Sequence, residues 1–182
     1  MSWRKNVCCH SPRHASDIPA ITRIYAHAVC HGTASFEITP PNEPEMARRY
    51  ERLRVSAYPY LAAANGDEVV GYAYAGPYRD RPAYRWSVED SIYVAPQALR
   101  RGIGRALLDA LIQDAESAGF RQMIAVIGDS ANAVSIELHR AAGFRLVGTF
   151  DHVGFKFGRW LDSVMMQRPL GEGAASVPPE WP

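Results

Sequence analysis

The stretch that most constrains this chain is a short apolar strand that passes through a basic, glycine-bearing turn into a helix. Ser91-Ile92-Tyr93-Val94 reads as the strand and Leu99-Arg100-Arg101-Gly102-Ile103-Gly104-Arg105 as the turn. Ala106 to Ala115 has apolar residues at helical spacing and strong helix formers, so a helix is expected over Ile103–Ser117. A helix begins with backbone N–H groups that lack intrahelical partners, and its macrodipole places partial positive charge there. Gly102 and Gly104 have no Cβ, so an anion can approach the backbone closely, and Arg100, Arg101 and Arg105 add full charges. These features predict an anion site suited to a pyrophosphate; the alternative is an ordinary glycine loop with a solvated basic face. There is no G-x-x-x-x-G-K-[ST], and the glycines are not part of a G-x-G-x-x-G, so neither a P-loop nor a Rossmann turn is expected.

The rest of the chain predicts a fold class. Val7–His10 reads as a first strand after a frayed Met1–Asn6, and Ser16 or Asp17 caps a helix from Ile18 to Cys30. Thr33–Glu37 is a loop or short extended piece, Pro40, Pro41 and Pro44 interrupt the chain, and Glu45–Val55 is a charged helix. Tyr58–Ala64 and Glu68–Gly76 form a hairpin about Asn65-Gly66-Asp67. After the polar loop Pro77–Arg85 comes the strand Trp86–Val94, in which alternation puts Glu89, Ser91 and Tyr93 on one face and Asp90 on the other. Gln122–Ile127 is almost unbroken in its apolar character, as a strand buried on both faces is. Ala133–Ala142 is a helix, Arg145–Phe150 a strand, Val153–Arg159 a loop, Leu161–Arg168 a last strand and Gly171–Pro182 a loose tail. Hairpins followed by strand–helix–strand–helix–strand describe an α/β protein with a mixed sheet, antiparallel early and parallel in the middle.

Composition narrows the function classes. A length of 182 residues suits one domain, and a net charge of +1 argues against general nucleic-acid binding. Cys8, Cys9 and Cys30 form no C-x-x-C, and His10, His14, His27, His31 and His152 have no metal-ligand spacing, so no metal is expected. No apolar segment follows Trp3-Arg4-Lys5 and no run approaches a membrane span. A cytoplasmic protein without a membrane partner is the expectation.

Two motifs then fall in order. Leu99-Arg100-Arg101-Gly102-Ile103-Gly104 is similar to the [Q/R]-x-x-G-x-[G/A] that opens a helix in the GNAT superfamily of N-acetyltransferases. Asn132, Ser135, Leu138, His139, Gly143 and Phe144 resemble its later N-x-x-[A/S]-x-x-L-Y-x-x-x-G-F. Thr33–Glu37, Gly71–Ala75, Arg81–Arg85, Val88–Ser91, Ala125–Gly128, Gly154–Lys156 and Arg159–Asp162 resemble the phosphinothricin and methionine sulfoximine or sulfone N-acetyltransferases within it. The resemblance runs from about residue 13 to 170, and implies a single domain over 13–170 with the acyl-CoA N-acyltransferase fold, a twisted mixed sheet flanked by helices. Residues 1–12 are then an N-terminal extension and 171–182 a flexible tail. Leu99 departs from the usual Gln or Arg; His139 replaces the superfamily's common Tyr, as in the phosphinothricin group.

The resemblance implies acetyl-CoA as co-substrate and a small amino-acid-like acceptor. Acetyl transfer must deprotonate an amine, polarise a thioester carbonyl and neutralise a departing thiolate. Glu89 is the candidate base, against a plain salt-bridged glutamate. Asp90 and Ser91 beside it are assigned to the acceptor, with a β-bulge available to redirect Asp90. The backbone at Ile92, Tyr93 and Val94, the turn Arg100–Arg105, and Asn132 and Ser135 are assigned to the cofactor; Asn132 also suits a helix cap. His139 is placed at the thiolate or the acceptor, against a packed histidine. Arg79, by resemblance, holds the acceptor's carboxylate, with Phe36 and Glu37 lining the same pocket. Transfer is expected to be direct, since no cysteine lies near the motifs, and the resemblance implies a homodimer. The rival functions are acetylation of protein termini or lysines, and a non-catalytic acyl-CoA-binding regulator.

Overall fold

The computed structural model describes residues 7–10 and 16–178. Its organising element is the hairpin β2 (Tyr60–Asn65) and β3 (Glu68–Pro77), turned at Gly66, whose φ of 63° is left-handed. On one side β1 (Val7–His10) pairs antiparallel with β2. On the other, β4 (Ser87–Val94) pairs antiparallel with β3 in unbroken register from Gly71–Val94 to Pro77–Val88. The chain then leaves the sheet through α3 (Ile103–Ser117) and returns as β5 (Gln122–Gly128), parallel to β4. After α4 (Ala133–Ala141), β6 (Arg145–Lys156) takes the edge and β7 (Arg159–Pro169) turns back between it and β5. The 7-stranded sheet is thus ordered β1-β2-β3-β4-β5-β7-β6, antiparallel except at its β4–β5 centre. Two further helices, α1 (Ile18–His31) and α2 (Glu43–Val55), pack against each other, and α1 lies on β3 and β4.

The core lies where helix faces meet the sheet. Leu107, Leu108, Leu111 and Ala115 repeat at helical spacing on α3 and are fully buried, and Ala63, Ala73 and Ala75 lie on the face of β2 and β3 where Gly71 meets Leu107. Small strand residues against large helix residues let the layers approach, and burying each leucine stabilises the fold by roughly 2 kcal/mol.

Some element boundaries differ from the sequence expectation for local reasons. Helix α2 starts at Glu43, with Pro44 inside its first turn, where a missing N–H costs nothing; Asn42 caps it by accepting from the Glu45 N–H at 3.0 Å. Asp17 stands at the N-cap of α1 without a side-chain cap bond. The expected Val153–Arg159 loop is mostly strand: β6 continues to Lys156, and only Phe157 and Gly158 form the turn, both at positive φ. The ladder slips between Phe150 and Gly154, where His152 also takes positive φ, and this interruption erases the period-2 signal. Residues 171–176 form turns and bends, and Arg121 donates to Glu172 among them at 3.4 Å. The expectation of a frayed Met1–Asn6 and the end of the expected tail fall outside the described residues.

Candidate active site

The glycine turn is built as the sequence demands, but its two glycines serve different ends. Gly102, at the N-cap of α3, has φ 83°, a left-handed conformation that costs any other residue about 1 kcal/mol or more. Gly104 needs no such freedom. A Cβ there would meet Leu138 at 3.6 Å and Val94 at 3.8 Å, both ordinary contacts. The fold has room for a side chain at 104, so its bareness matters only to something that docks on it. No side chain caps α3, so the first-turn N–H groups are left for a ligand.

That helix end opens on a cavity of about 370 Å³ between β4 and β5. The parallel pairing of these strands stops at Asp90–Ala125, although β5 goes on to Gly128 along β7. Beyond that point the strands splay, and Ile92, Tyr93 and Val94 turn a backbone edge with no strand partner toward the gap. The splay requires no bulge in β4, whose register with β3 is continuous; the offered β-bulge is absent. Arg100, Gly102, Ile103, Gly104, Arg105, Asn132 and Ser135 line the same cavity, and Arg101 does not. Arg105 is braced at 2.7 Å by Asp109 and donates to the Ala141 carbonyl at 2.9 Å. Asn132 caps α4 by accepting from the Ser135 N–H at 3.3 Å, and it also lines the cavity. Leu99, more than half exposed, sits at the cavity mouth.

Asp90 and His139 meet in the wall of this cleft. Simple alternation turns Asp90 away from Glu89, and its Oδ2 lies 2.9 Å from His139 Nε2, with both residues buried. His139 Nδ1 lies 2.8 Å from the Ser135 carbonyl oxygen. Burial opposes charge on this imidazole, but Asp90 and the Ser135 carbonyl outweigh it and raise its pKa above the usual histidine range. Asp90 Oδ1 is buried without a hydrogen-bond partner.

Glu89 faces a second cavity of about 470 Å³, walled by the rings of Tyr25, Tyr60, Tyr72 and Tyr74 and by Arg49 and Arg52. Desolvation raises the Glu89 pKa above the ordinary carboxylate range; the neighbouring charge of Asp90 adds to this and Arg79 works against it. Ser91 lines both cavities, so the two meet at β4. The Tyr72 hydroxyl is buried there without a partner. Arg49 is held by Glu37 at 2.6 Å and Glu45 at 2.9 Å, and Tyr25 donates to Glu37 at 2.8 Å; burial pushes the Tyr25 hydroxyl up to about 12.

The sequence assignments to the acceptor therefore separate. Glu89 and Ser91 share the second cavity, while Asp90 faces the first. Glu37 stands behind the wall as the anchor of Arg49. Phe36 packs over the bare backbone of Gly128 and Gly154. Arg79 is exposed, over the Tyr78 ring at 4.5 Å, in an adjoining concavity with Arg81 and Arg85 that also includes Arg52. The tyrosine wall and Arg49 were not singled out from sequence. The period-2 run Tyr72-Ala73-Tyr74 was the available signal, since it puts both rings on the face of β3 that Glu89 shares on β4. Among the described residues no group of three or more His, Cys, Asp or Glu is placed to hold a metal. No helix among them is long and apolar enough to cross a membrane.

Known proteins resemble this chain in sequence and in fold. A family model described as the acetyltransferase (GNAT) family matches residues 22–144. The chain is 51% identical over 162 residues to the phosphinothricin N-acetyltransferase of Alcaligenes faecalis, covering 89% of this chain and 82% of that protein. It is 41% identical over 160 residues to the L-methionine sulfoximine/L-methionine sulfone acetyltransferase of Salmonella typhimurium, covering 88% and 93%. The crystal structure of a GNAT superfamily phosphinothricin acetyltransferase from Sinorhizobium meliloti, in complex with AcCoA, superposes with a TM-score of 0.92 at 49% identity, covering 96% of this chain and 94% of that one.

Proposed function

This chain belongs to the acetyltransferase (GNAT) family, and from that premise we propose that it transfers acetyl from acetyl-CoA to the α-amino group of a small amino-acid-like acceptor. The observation that carries the reading is that two cavities meet at Ser91, one ending at an uncapped helix start and the other holding a desolvated glutamate.

The pyrophosphate of coenzyme A suits the first turn of α3, between the bare Gly104 and Arg100. Its amide-bearing arm suits the splayed gap, where the backbone edge of Ile92–Val94 pairs with it as with an added strand. The same N–H groups polarise the thioester carbonyl. Glu89 takes the amine's proton, directly or through a water, and burial suits it to that task by raising its pKa. The acceptor's carboxylate is held at the basic mouth where Arg52 joins the concavity of Arg79. The tyrosine rings pack its side chain, and the unpaired Tyr72 hydroxyl favours a polar group at the far end, as in phosphinothricin or methionine sulfoximine.

We extend the reading to a cytoplasmic homodimer. The exposed thiol of Cys30 supports a reducing setting. Phe150, Val153, Phe155, Phe157 and Trp160 on the β6–β7 hairpin are each more than half exposed beside an open sheet edge, a surface that a second copy would cover. Sedimentation at micromolar concentration should show a dimer, and a monomer there would remove this part.

Free-thiol release from acetyl-CoA, measured with amino acids, sulfoximines, sulfones and peptides, tests the activity. Release is expected with the amino-acid-like acceptors. Release with peptides alone would make the chain a protein acetyltransferase, and binding without release with any amine would make it a regulator. Gly104→Glu places bulk and negative charge where the anion docks while leaving the core intact, so KM for acetyl-CoA should rise about tenfold or more with a wild-type melting temperature. An unchanged KM would move the anion site elsewhere.

A further inference from the structure

The second cavity has a charge balance that bears on what can enter it. Arg49 lines its wall, but two carboxylates already hold that guanidinium: Nη1 donates to Glu37 at 2.6 Å and Nε to Glu45 at 2.9 Å. Glu45 also binds Arg48, which is exposed and does not line the cavity, so these two acids and two arginines balance. Arg49 therefore brings no surplus positive charge inside. Glu89 brings a negative one when it is ionised to act as a base. Arg52 and Pro77 line both this cavity and the arginine concavity, which marks the mouth, where the acceptor's own carboxylate is matched. Strand register orders the rest. Gly76 faces Glu89 nearest Pro77, Tyr74 faces Ser91 next, and Tyr72 faces Tyr93 furthest in. The Tyr72 hydroxyl is buried without a partner, and burial raises its pKa well above the ordinary phenol range, so it stays a neutral donor.

We propose that this cavity selects its acceptor by the charge and oxygen content of the side-chain end, preferring an uncharged, oxygen-bearing end such as a sulfone or sulfoximine over a phosphinate anion and over a thioether. The proposal deepens the acetyl-transfer reading above and rests on it. An anionic end would leave water, lie in the same cavity as Glu89 and meet only a guanidinium whose charge is already matched. A thioether end would leave the Tyr72 hydroxyl buried and unpaired. An uncharged S=O or S=N end accepts from Tyr72 and adds no charge. Tyr72 is thus the specificity residue that touches the acceptor. Glu37 is a positioning residue that acts through Arg49.

Free-thiol release with methionine sulfone, phosphinothricin and methionine gives three values of kcat/KM from one preparation, and their ratios do not depend on the folded fraction. In the wild-type chain the sulfone should exceed each of the others by about tenfold or more. Glu37→Gln keeps an amide oxygen to accept from Arg49 and Tyr25 but leaves the guanidinium charge unmatched. The ratio of sulfone to phosphinothricin should then fall about tenfold. Glu45→Gln should move that ratio in the same direction, and it decides if Glu37→Gln does not fold. Tyr72→Phe should lower the ratio of sulfone to methionine about tenfold, since no buried hydroxyl is left to penalise the thioether. A wild-type preference for phosphinothricin or methionine, or a phosphinothricin ratio unmoved in the glutamine variants, overturns the proposal alone. A methionine ratio unmoved in Tyr72→Phe removes the hydroxyl from it. Thiol release with none of the three would overturn the acetyl-transfer reading, and this selection with it.

Discussion

Replacing Glu89 with Gln is expected to lower kcat by about 10²–10⁴-fold, the usual contribution of a positioned general base. The amide is nearly isosteric, so the cavity keeps its shape and only the proton acceptor goes. On the proposed assignment of the cavities, KM for acetyl-CoA should stay close to wild type, because Glu89 lines the second cavity and not the one at the start of α3. The pH dependence supplies an independent check. A base works when ionised, so kcat/KM should rise with pH through the pKa of Glu89. Desolvation and Asp90 push that pKa up and Arg79 pulls it down, with a net rise, so the acid limb should lie above the ordinary glutamate value of 4.5. The limb should vanish in Glu89→Gln. Near-wild-type turnover in the variant, or an acid limb that persists, would take the role of base away from Glu89.

Gly128→Ala should destabilise the fold by about 3 kcal/mol, a large effect for one methyl group. Gly128 ends β5. A Cβ there would overlap the Thr33 carbonyl oxygen and come within 2.9 Å of a Phe36 ring carbon. The oxygen belongs to backbone and cannot rotate away. The loop that carries it is also pinned, because the buried Lys156 ammonium donates to the Gly32 carbonyl at 2.9 Å and the Ser35 carbonyl at 2.7 Å. The methyl group must therefore move either the strand that walls the 370 Å³ cavity or a segment held by two charge-assisted bonds. Urea unfolding should show the loss as a lower midpoint at unchanged slope. Gly104→Ala is the matched control: its Cβ meets only ordinary contacts, and its stability should stay within about 1 kcal/mol. A wild-type midpoint for Gly128→Ala would mean that the Thr33–Glu37 loop is not fixed against β5.

Where sequence reading succeeded, the signal was local or periodic. Helix α3 follows from the apolar spacing of Leu107, Leu108 and Leu111. The run Met123–Ile127 does form a strand parallel to β4, but it is not buried on both faces: Met123, Ala125 and Ile127 are buried while Ile124 and Val126 are half-buried. Alternation along β4 put Glu89 and Asp90 on opposite faces, and the two line different cavities. The reading failed where pairing is irregular. A ladder slip hid the continuation of β6, and with it the position of Lys156, whose partners lie more than a hundred residues earlier in the chain.

The sequence by itself determined the order of elements, the glycine turn and the face on which each β4 side chain lies, because each depends on backbone sterics and short-range periodicity. Only the tertiary structure decided which distant groups meet: Asp90 with His139, Arg49 with Glu37, and Gly128 with the Thr33–Glu37 loop. Those meetings depend on where β4 and β5 cease to pair and on how helices and loops pack across them. Burial then sets the charge of each group, and no spacing rule along a chain encodes how much water a folded neighbour leaves behind.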